Sequence, residues 1–111
     1  MATETIKIPS FSSPAADTLT SLYTVPASTT AVIPTINVCN TSASAATFRI
    51  GIRPNGAGIQ QQNYLVYNSN ISAFESIIFN QGLMLNAGDI LAVYSSASTL
   101  AFTAFKMEVT A

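Results

Sequence analysis

The residues that could carry chemistry in this chain are few and lie far apart in sequence. Histidine is absent, so the single cysteine, Cys39, has no histidine to activate it as a nucleophile. Asp89 follows Gly88 and is interpreted as a turn residue. The carboxylates are isolated from one another, which argues against paired acid–base residues: Glu4, Asp17, Glu75, Asp89 and Glu108. We therefore predict no catalytic residue, no metal site, no cofactor and no enzymatic activity.

Two arginines and two tyrosines could instead mediate binding. Arg49 and Arg53 share one parity of a predicted strand, where they would either lie in solvent or meet a carboxylate across an interface. Tyr64 and Tyr67 would pack in the core or in a subunit contact, and the alternative is stacking on sugars, as in lectins. From these residues we predict a subunit interface that contains Arg49, Arg53, Tyr64 and Tyr67.

Charged residues are scarce in this sequence. They make up 8% of the chain, against roughly 25% in a typical soluble domain. A surface of Ser, Thr, Asn and Gln resists self-association poorly, so it suits a subunit covered by copies of itself or by a partner. The net charge of −1 argues against a nucleic-acid partner.

The hydrophobic pattern contains no membrane helix of roughly 20 residues, so no membrane partner is expected. The stretch MATETIKIPSF lacks the basic-then-apolar order of a signal peptide, from which we expect synthesis in a cytoplasm. The redox state of lone Cys39 is left open, and its role is interpreted as that of a small buried hydrophobe.

The segment Thr30–Pro54 predicts two strands joined by a turn of small residues, because apolar and polar side chains alternate with a period of two. In the second strand the predicted core face carries Phe48, Ile50 and Ile52. In the first strand we place Val32 with Ile36 and Val38, opposite Ile33, Thr35, Asn37 and Cys39. Pro34 predicts a sheet edge or a bulge.

Further short apolar segments are separated by Gly, Pro, Asn and Ser turns at about ten-residue spacing, and none shows helical periodicity. Seven or eight strands of this kind predict an all-β sandwich or barrel. Apolar residues occupy both parities of the later strands, which predicts an outer surface covered by another subunit. In Leu100–Val109, a bulge near Ala104 would bring both parities to one face, and the alternative is a strand buried on both sides.

Residues 1–16 differ from the rest and are predicted to form an extended N-terminal arm, with residues 17–111 as the sandwich domain. Pro9 and Pro14 interrupt this stretch, and the alternative is a frayed terminus. The arm would dock on a neighbour, for example by adding a strand to a sheet edge. Its candidate contact residues are Ile6, Lys7, Ile8 and Phe11.

A wider resemblance covers about residues 18–109. The chain resembles small β-sandwich virion proteins of tailed bacteriophages, including cyanophages. The matching segments are Leu22-Tyr23-Thr24-Val25-Pro26, Val38-Cys39-Asn40, Phe48-Arg49, Arg53-Pro54, Tyr64-Leu65, Leu85-Asn86-Ala87-Gly88-Asp89, Val93-Tyr94 and Leu100–Phe102. These motifs are turns and strand starts, so they bear on fold more than on function.

The resemblance implies a jelly-roll-like sandwich of about eight antiparallel strands that acts as a capsid cement (decoration) protein. Such proteins form homotrimers on the capsid exterior and bind the major capsid protein, which would place this chain in the virion. The alternatives are a tail, baseplate or fibre module with the same sandwich, and a glycan-binding jelly roll.

Overall fold

The computed structural model describes residues 3–6, 10–80 and 82–110. Within these ranges the chain is nearly all β, and its only helical segments are 3-10 turns at Pro54–Gly56 and Gln61–Asn63. The strands are β1 Thr3–Ile6, β2 Ser10–Ser12, β3 Thr20–Thr24, β4 Thr29–Asn40, β5 Ala46–Arg53, β6 Tyr64–Ile71, β7 Ser76–Phe79, β8 Leu83–Leu85, β9 Ile90–Ser95 and β10 Leu100–Thr110. None of the described helical segments is long and apolar enough to cross a membrane.

The strands form two antiparallel sheets that pack into a sandwich. The six-stranded sheet has the order β1-β10-β4-β7, with β2 also pairing with β10 and β8 with β4, and the four-stranded sheet has the order β3-β9-β5-β6. The pairs are nested around the β5–β6 hairpin: β4 pairs with β7 and β8, β3 with β9, and β1 and β2 with β10. This is the order of one long hairpin folded over on itself. The predicted all-β sandwich is confirmed, and eight strands, β3 to β10, lie within residues 17–111.

The N-terminal stretch contributes two short strands to this chain's own sheet. Thr3 lies opposite Thr110 and Ile6 opposite Met107, while Phe11 lies opposite Thr103. Both strands therefore add to the edge of β10. Lys7 and Ile8, two of the predicted arm contacts, lie outside the described residues.

The core lies between the two sheets and is built on phenylalanine. The ring of Phe48 packs edge-on against Phe79 at 5.9 Å and against Phe102 at 6.1 Å between centroids. Edge-to-face pairs at such distances are favourable because the positive ring edge meets the negative ring face. The predicted core face of β5 is confirmed for Phe48 and Ile50, which are buried, with Ile52 packed against the core.

The faces predicted for β4 are correct only after Pro34. Ile36 and Val38 are buried as predicted, but Ile33 is buried and Val32 is half-buried. The pairing register shifts there, because Thr35 lies opposite Phe105 while Val32 lies opposite Met107. The bulge predicted from Pro34 thus carries one extra residue, and one extra residue exchanges the two faces.

The bulge predicted near Ala104 in the last strand is wrong, because the extra residue lies in β4 instead. Leu100, Phe102 and Ala104 are buried, and the same parity continues through Lys106 to Glu108. The opposite parity places Phe105 at the surface. Two charged residues, Lys106 and Glu108, therefore lie on the inner side of the sheet at the end of β10.

Candidate functional site

The predicted interface residues lie on the outer side of the four-stranded sheet, where Arg49 contacts two aromatic rings. Its guanidinium carbon lies 4.3 Å from the ring centroid of Tyr67 and 4.1 Å from that of Tyr94. Its Nε donates a hydrogen bond to Asn68 Oδ1 at 2.7 Å. A planar cation between two aromatic faces is attracted by both ring quadrupoles. Arg49 therefore holds both tyrosines in place.

Irregular pairing of β6 brings Tyr64 and Tyr67 together although their sequence parities differ. Phe48 lies opposite Ser69, but Ile50 lies opposite Val66 and Gly51 opposite Tyr64. Each shift inserts a residue into β6, and such bulges change the direction of neighbouring side chains. The two rings meet edge-on with centroids 4.9 Å apart.

Gly51 allows the connection after β5 to cover this side of the sheet. A Cβ at Gly51 would lie 2.5 Å from the Ile59 side chain and 3.2 Å from the Tyr64 ring. Real carbon atoms do not approach so closely, so a side chain at this position would displace the end of the Ile59 side chain and shift the Tyr64 ring by a few tenths of an ångström. Glycine lets Ile59 and Tyr64 pack on the strand without that adjustment.

A groove lies beside these rings. Its volume is about 580 Å³, and it is lined by Gln61, Tyr64, Leu65 and Tyr67. The Gln61–Asn63 turn beside it is closed by reciprocal bonds, since Gln60 N–H donates to Asn63 Oδ1 at 3.0 Å and Asn63 N–H to the Gln60 carbonyl at 2.9 Å. The lining combines apolar rings with a neutral amide, so it suits an uncharged ligand or an apolar side chain.

Arg53, the second arginine of the predicted interface, contacts its own turn. Its Nε donates to the Ala57 carbonyl and its Nη2 to the Gly56 carbonyl, both at 2.9 Å. The turn is also held from the other side, where Asp89 Oδ1 accepts from Asn55 N–H at 2.8 Å. Arg53 is thus separate from the Arg49–Tyr67–Tyr64 group, and its guanidinium holds the turn in place.

Asp89 has the turn role predicted for it. Its backbone N–H donates to the Asn86 carbonyl at 3.0 Å, and its Oδ2 accepts from Asn86 N–H at 2.9 Å. Gly88 has a φ of +87°, a conformation that favours glycine. Within the described residues no three His, Cys, Asp or Glu side chains are grouped as a metal site would require.

Sequence reasoning missed the partners of Arg49 on the neighbouring strand. Tyr94 lies directly opposite Arg49 in the pairing of β9 with β5. Its hydroxyl donates to Asp17 Oδ1 at 2.7 Å. This hydrogen bond to the carboxylate raises the pKa of Tyr94, since it favours the protonated phenol. The sequence contains one indication of this contact, since Tyr94 follows buried Val93 in the strand and therefore faces outward.

A second group that the sequence did not reveal lies on the inner side of the sandwich. The Tyr23 hydroxyl donates to Glu108 Oε2, and Lys106 Nζ lies 4.0 Å from the centroid of the Tyr23 ring. Tyr23 and Glu108 are both buried. Burial first, and then the bond to Glu108 and its charge, raise the pKa of Tyr23 well above its usual value.

The outer side of the six-stranded sheet exposes large apolar side chains. Met84 is 74% exposed, Ile78 61% and Phe105 44%. Met84 lies opposite Val32, which in turn lies opposite Met107, so these three form one row across β8, β4 and β10. We refer to Val32, Ile78, Met84, Phe105 and Met107 as the apolar face.

Two solved structures similar to this chain are crystal structures of a pentameric capsid protein isolated from metagenomic phage sequences. One is 22% identical over 83% of this chain, with a TM-score of 0.42, and the other, solved by iodide SAD phasing, is 21% identical over 86%, with a TM-score of 0.39. This chain spans 56% and 57% of their lengths. Neither a protein-family model nor a curated protein sequence matches this chain.

Proposed function

We propose that this chain is a non-enzymatic structural protein of a tailed-phage virion. Its specific role would be that of a trimeric cement protein, which binds the capsid exterior and stabilises the lattice of the major capsid protein. The observation that carries this proposal is the apolar face. In β4, β7, β8 and β10, the side chains that alternate with the buried ones are uncharged, and Ile78 and Met84 are largely exposed.

Such a face has a physical consequence in water. Covering exposed apolar surface with another protein is favourable by roughly 25 cal/mol per Å². Large exposed apolar patches on proteins therefore mark interaction sites. With only four basic and five acidic residues in the chain, charge repulsion opposes association weakly. A multimer that binds several lattice subunits binds more tightly still, because each contact after the first is intramolecular.

The N-terminal stretch would supply the contact with the major capsid protein. We assign that role to residues 1–16, through Ile6, Lys7, Ile8 and Phe11. Residues 3–6 and 10–12 pair with the edge of β10 in this chain. The same pairing offered to a neighbour's sheet edge would be strand addition, in which backbone hydrogen bonds provide the affinity.

The experiment that tests this function measures assembly and location together. Sedimentation and native mass spectrometry of the isolated protein should give a trimer, and quantitation in purified particles should give hundreds of copies. A pentamer, as named for the similar capsid structures, would correct the stoichiometry. A stable monomer at micromolar concentration would contradict the cement role, and a handful of copies would favour the tail, baseplate or fibre module.

A paired substitution tests the apolar face itself. Met84→Glu should dissociate the oligomer while the separated protomer keeps its fold, because the side chain is exposed in the protomer. Ala87→Glu is the matched control, since it adds the same charge at an exposed turn position and should leave assembly intact. Unchanged assembly of Met84→Glu would show that the subunits meet elsewhere.

The groove favours a second candidate function, the binding of glycans. Tyr67 is 58% exposed and packs against the Arg49 guanidinium, and the neighbouring Gln61 offers an amide to sugar hydroxyls. A rigid aromatic with a few placed polar groups is typical of a small-ligand site. Binding of the soluble oligomer to a glycan array, lost in Tyr67→Ala, would support this function over a purely structural one.

A further inference from the structure

Phe74 stands out because it is both exposed and held in an unfavourable backbone conformation. Its φ is +58° and its side chain is 69% exposed, in the turn between β6 and β7. The left-handed region suits glycine and asparagine, and a bulky aromatic rarely adopts it. Neither burial nor local conformational preference therefore explains a phenylalanine at this position. Strained residues of this kind concentrate at functional sites.

The turn that carries Phe74 is fixed to the neighbouring loop. Phe74 N–H donates to the Ser42 carbonyl at 3.1 Å, and Ser72 N–H donates to Glu75 Oε1 at 2.8 Å. Asn40, which is buried, donates from Nδ2 to the carbonyls of Ser44 at 2.8 Å and Ser72 at 3.1 Å. Two loops are thus tied together beneath an exposed ring. The backbone that carries Phe74 is therefore fixed before a partner binds, so docking costs less entropy than it would from a mobile loop.

The groove offers a complementary site at the other end of the same edge strand. β6 runs from Tyr64, which lines the groove, to Ile71, just before the Phe74 turn, a span of roughly 20 Å at about 3.3 Å per residue. The groove has a volume of about 580 Å³, which is enough for a phenyl ring, and its lining includes Tyr64, Leu65 and Tyr67. Aromatic rings pair favourably edge-to-face.

The charges beside the two features are opposite. Glu75 follows Phe74, and its carboxylate is at the protein surface. Arg49 stacks on Tyr67, one of the groove residues. A contact that placed the ring in the groove would bring an acidic residue toward a basic one, and such complementarity favours one docking orientation.

We propose that Phe74 of one copy inserts into the Tyr64–Tyr67 groove of the next copy. The two surfaces differ, so the contact is head-to-tail, and repeating it generates a ring if the rotation closes. This inference rests on the self-association in the proposed function and adds a second contact between the subunits, on which assembly depends together with the apolar face. The occupant of the groove is then a phenyl ring of this same chain.

The test uses two variants that each destroy one half of the contact. Phe74→Gly removes the ring and suits the positive φ, so the protomer should keep its fold. Gln61→Trp fills the groove from an exposed position and leaves the packing of Tyr67 on Arg49 in place. Each variant alone should lose the oligomer, with affinity between copies weakened at least tenfold, as for an interface hot spot.

Mixing the two variants gives the decisive result. Phe74→Gly retains the groove and Gln61→Trp retains the ring, so a 1:1 mixture has one intact contact between unlike chains. Native mass spectrometry should then detect a mixed dimer that neither variant forms alone. Single variants that assemble like the wild type would overturn the inference but leave the proposed function standing. A wild-type monomer would overturn both, and loss of assembly without mixed dimers would rule out the head-to-tail contact.

Discussion

Two tyrosines of this sandwich donate a hydrogen bond to a carboxylate while a cation lies over the ring, one inside the molecule and one at its surface. Inside, Tyr23 bonds Glu108 and Lys106 Nζ lies 4.0 Å from the ring centroid. At the surface, Tyr94 bonds Asp17 at 2.7 Å, with the Arg49 guanidinium carbon 4.1 Å from the ring centroid. The same arrangement of phenol, carboxylate and cation thus occurs twice, with an ammonium inside and a guanidinium at the surface.

The difference between the two groups lies in access to water. Tyr23 and Glu108 are buried, so loss of their hydrogen bond cannot be replaced by solvent. Asp17 is exposed and Tyr94 is only partly covered, so water can take over each bond. The inner group therefore contributes to the stability of the fold, whereas the outer group positions Arg49 and Tyr67 beside the groove.

Tyr23→Phe should have the largest effect on stability. The substitution keeps the ring and removes only the hydroxyl, so a buried carboxylate loses one of its hydrogen bonds. Hydrogen bonds to charged groups contribute about 1.5–3 kcal/mol, and we expect a loss of about 2 kcal/mol in the free energy of unfolding. Urea denaturation at neutral pH measures it. Tyr67→Phe removes a hydroxyl from an exposed ring and is the matched control, which should unfold like the wild type. Equal urea midpoints for Tyr23→Phe and Tyr67→Phe would show that the buried hydroxyl stabilises the fold no more than the exposed one.

Alkaline pH should reduce the difference in free energy of unfolding between the wild type and Tyr23→Phe. The pKa of Tyr23 is raised in the folded protein above its usual value of 10. Above pH 10 the unfolded chain releases this proton while the folded chain retains it, so the folded state binds more protons. The stabilisation by Tyr23 is therefore complete below pH 10 and is lost as pH rises further.

Urea denaturation of both proteins at pH 8 and at pH 10.5 checks this dependence. The free energy of unfolding of the wild type should fall more than that of Tyr23→Phe. Absorbance titration of the phenolates gives an independent measurement, because the last tyrosine to ionise in the wild type should be missing in the variant. Parallel declines in the two proteins would show that Tyr23 ionises as readily folded as unfolded.

The sequence predicted the fold wherever the chain keeps a strict two-residue period. Phe48 and Ile50 alternate with outward residues, and they lie in the core as expected. The prediction was wrong where a bulge added a residue. Pro34 marked the bulge, but its effect on Val32 and Ile33 depends on which strand carries the extra residue, and this is settled only by pairing with β10.

The candidate site was only partly predictable for the same reason. Arg49 and Tyr67 were both proposed for the interface, but their direct contact depends on the bulge in β6, where Asn68 adopts a φ of +51°. Tyr94 reaches Asp17 across 77 residues of chain. A single sequence contains no local pattern that pairs residues so far apart, because the topology of the sheet brings them together. Glu108 is buried because β10 keeps its two-residue period beyond Ala104, and this depends on the extra residue lying in β4.

The smallest effect on stability should come from Tyr94→Phe, which tests the outer tyrosine in the same way that Tyr23→Phe tests the inner one. The variant removes the bond to exposed Asp17, and because water replaces it, the unfolding midpoint should stay within experimental error. The ring remains, so Arg49 keeps one aromatic face on each side. If the outer group positions the groove residues, Arg49→Met should alter binding at the groove while Tyr94→Phe leaves both stability and binding unchanged. A loss of stability in Tyr94→Phe as large as that in Tyr23→Phe would mean that burial does not distinguish the two groups.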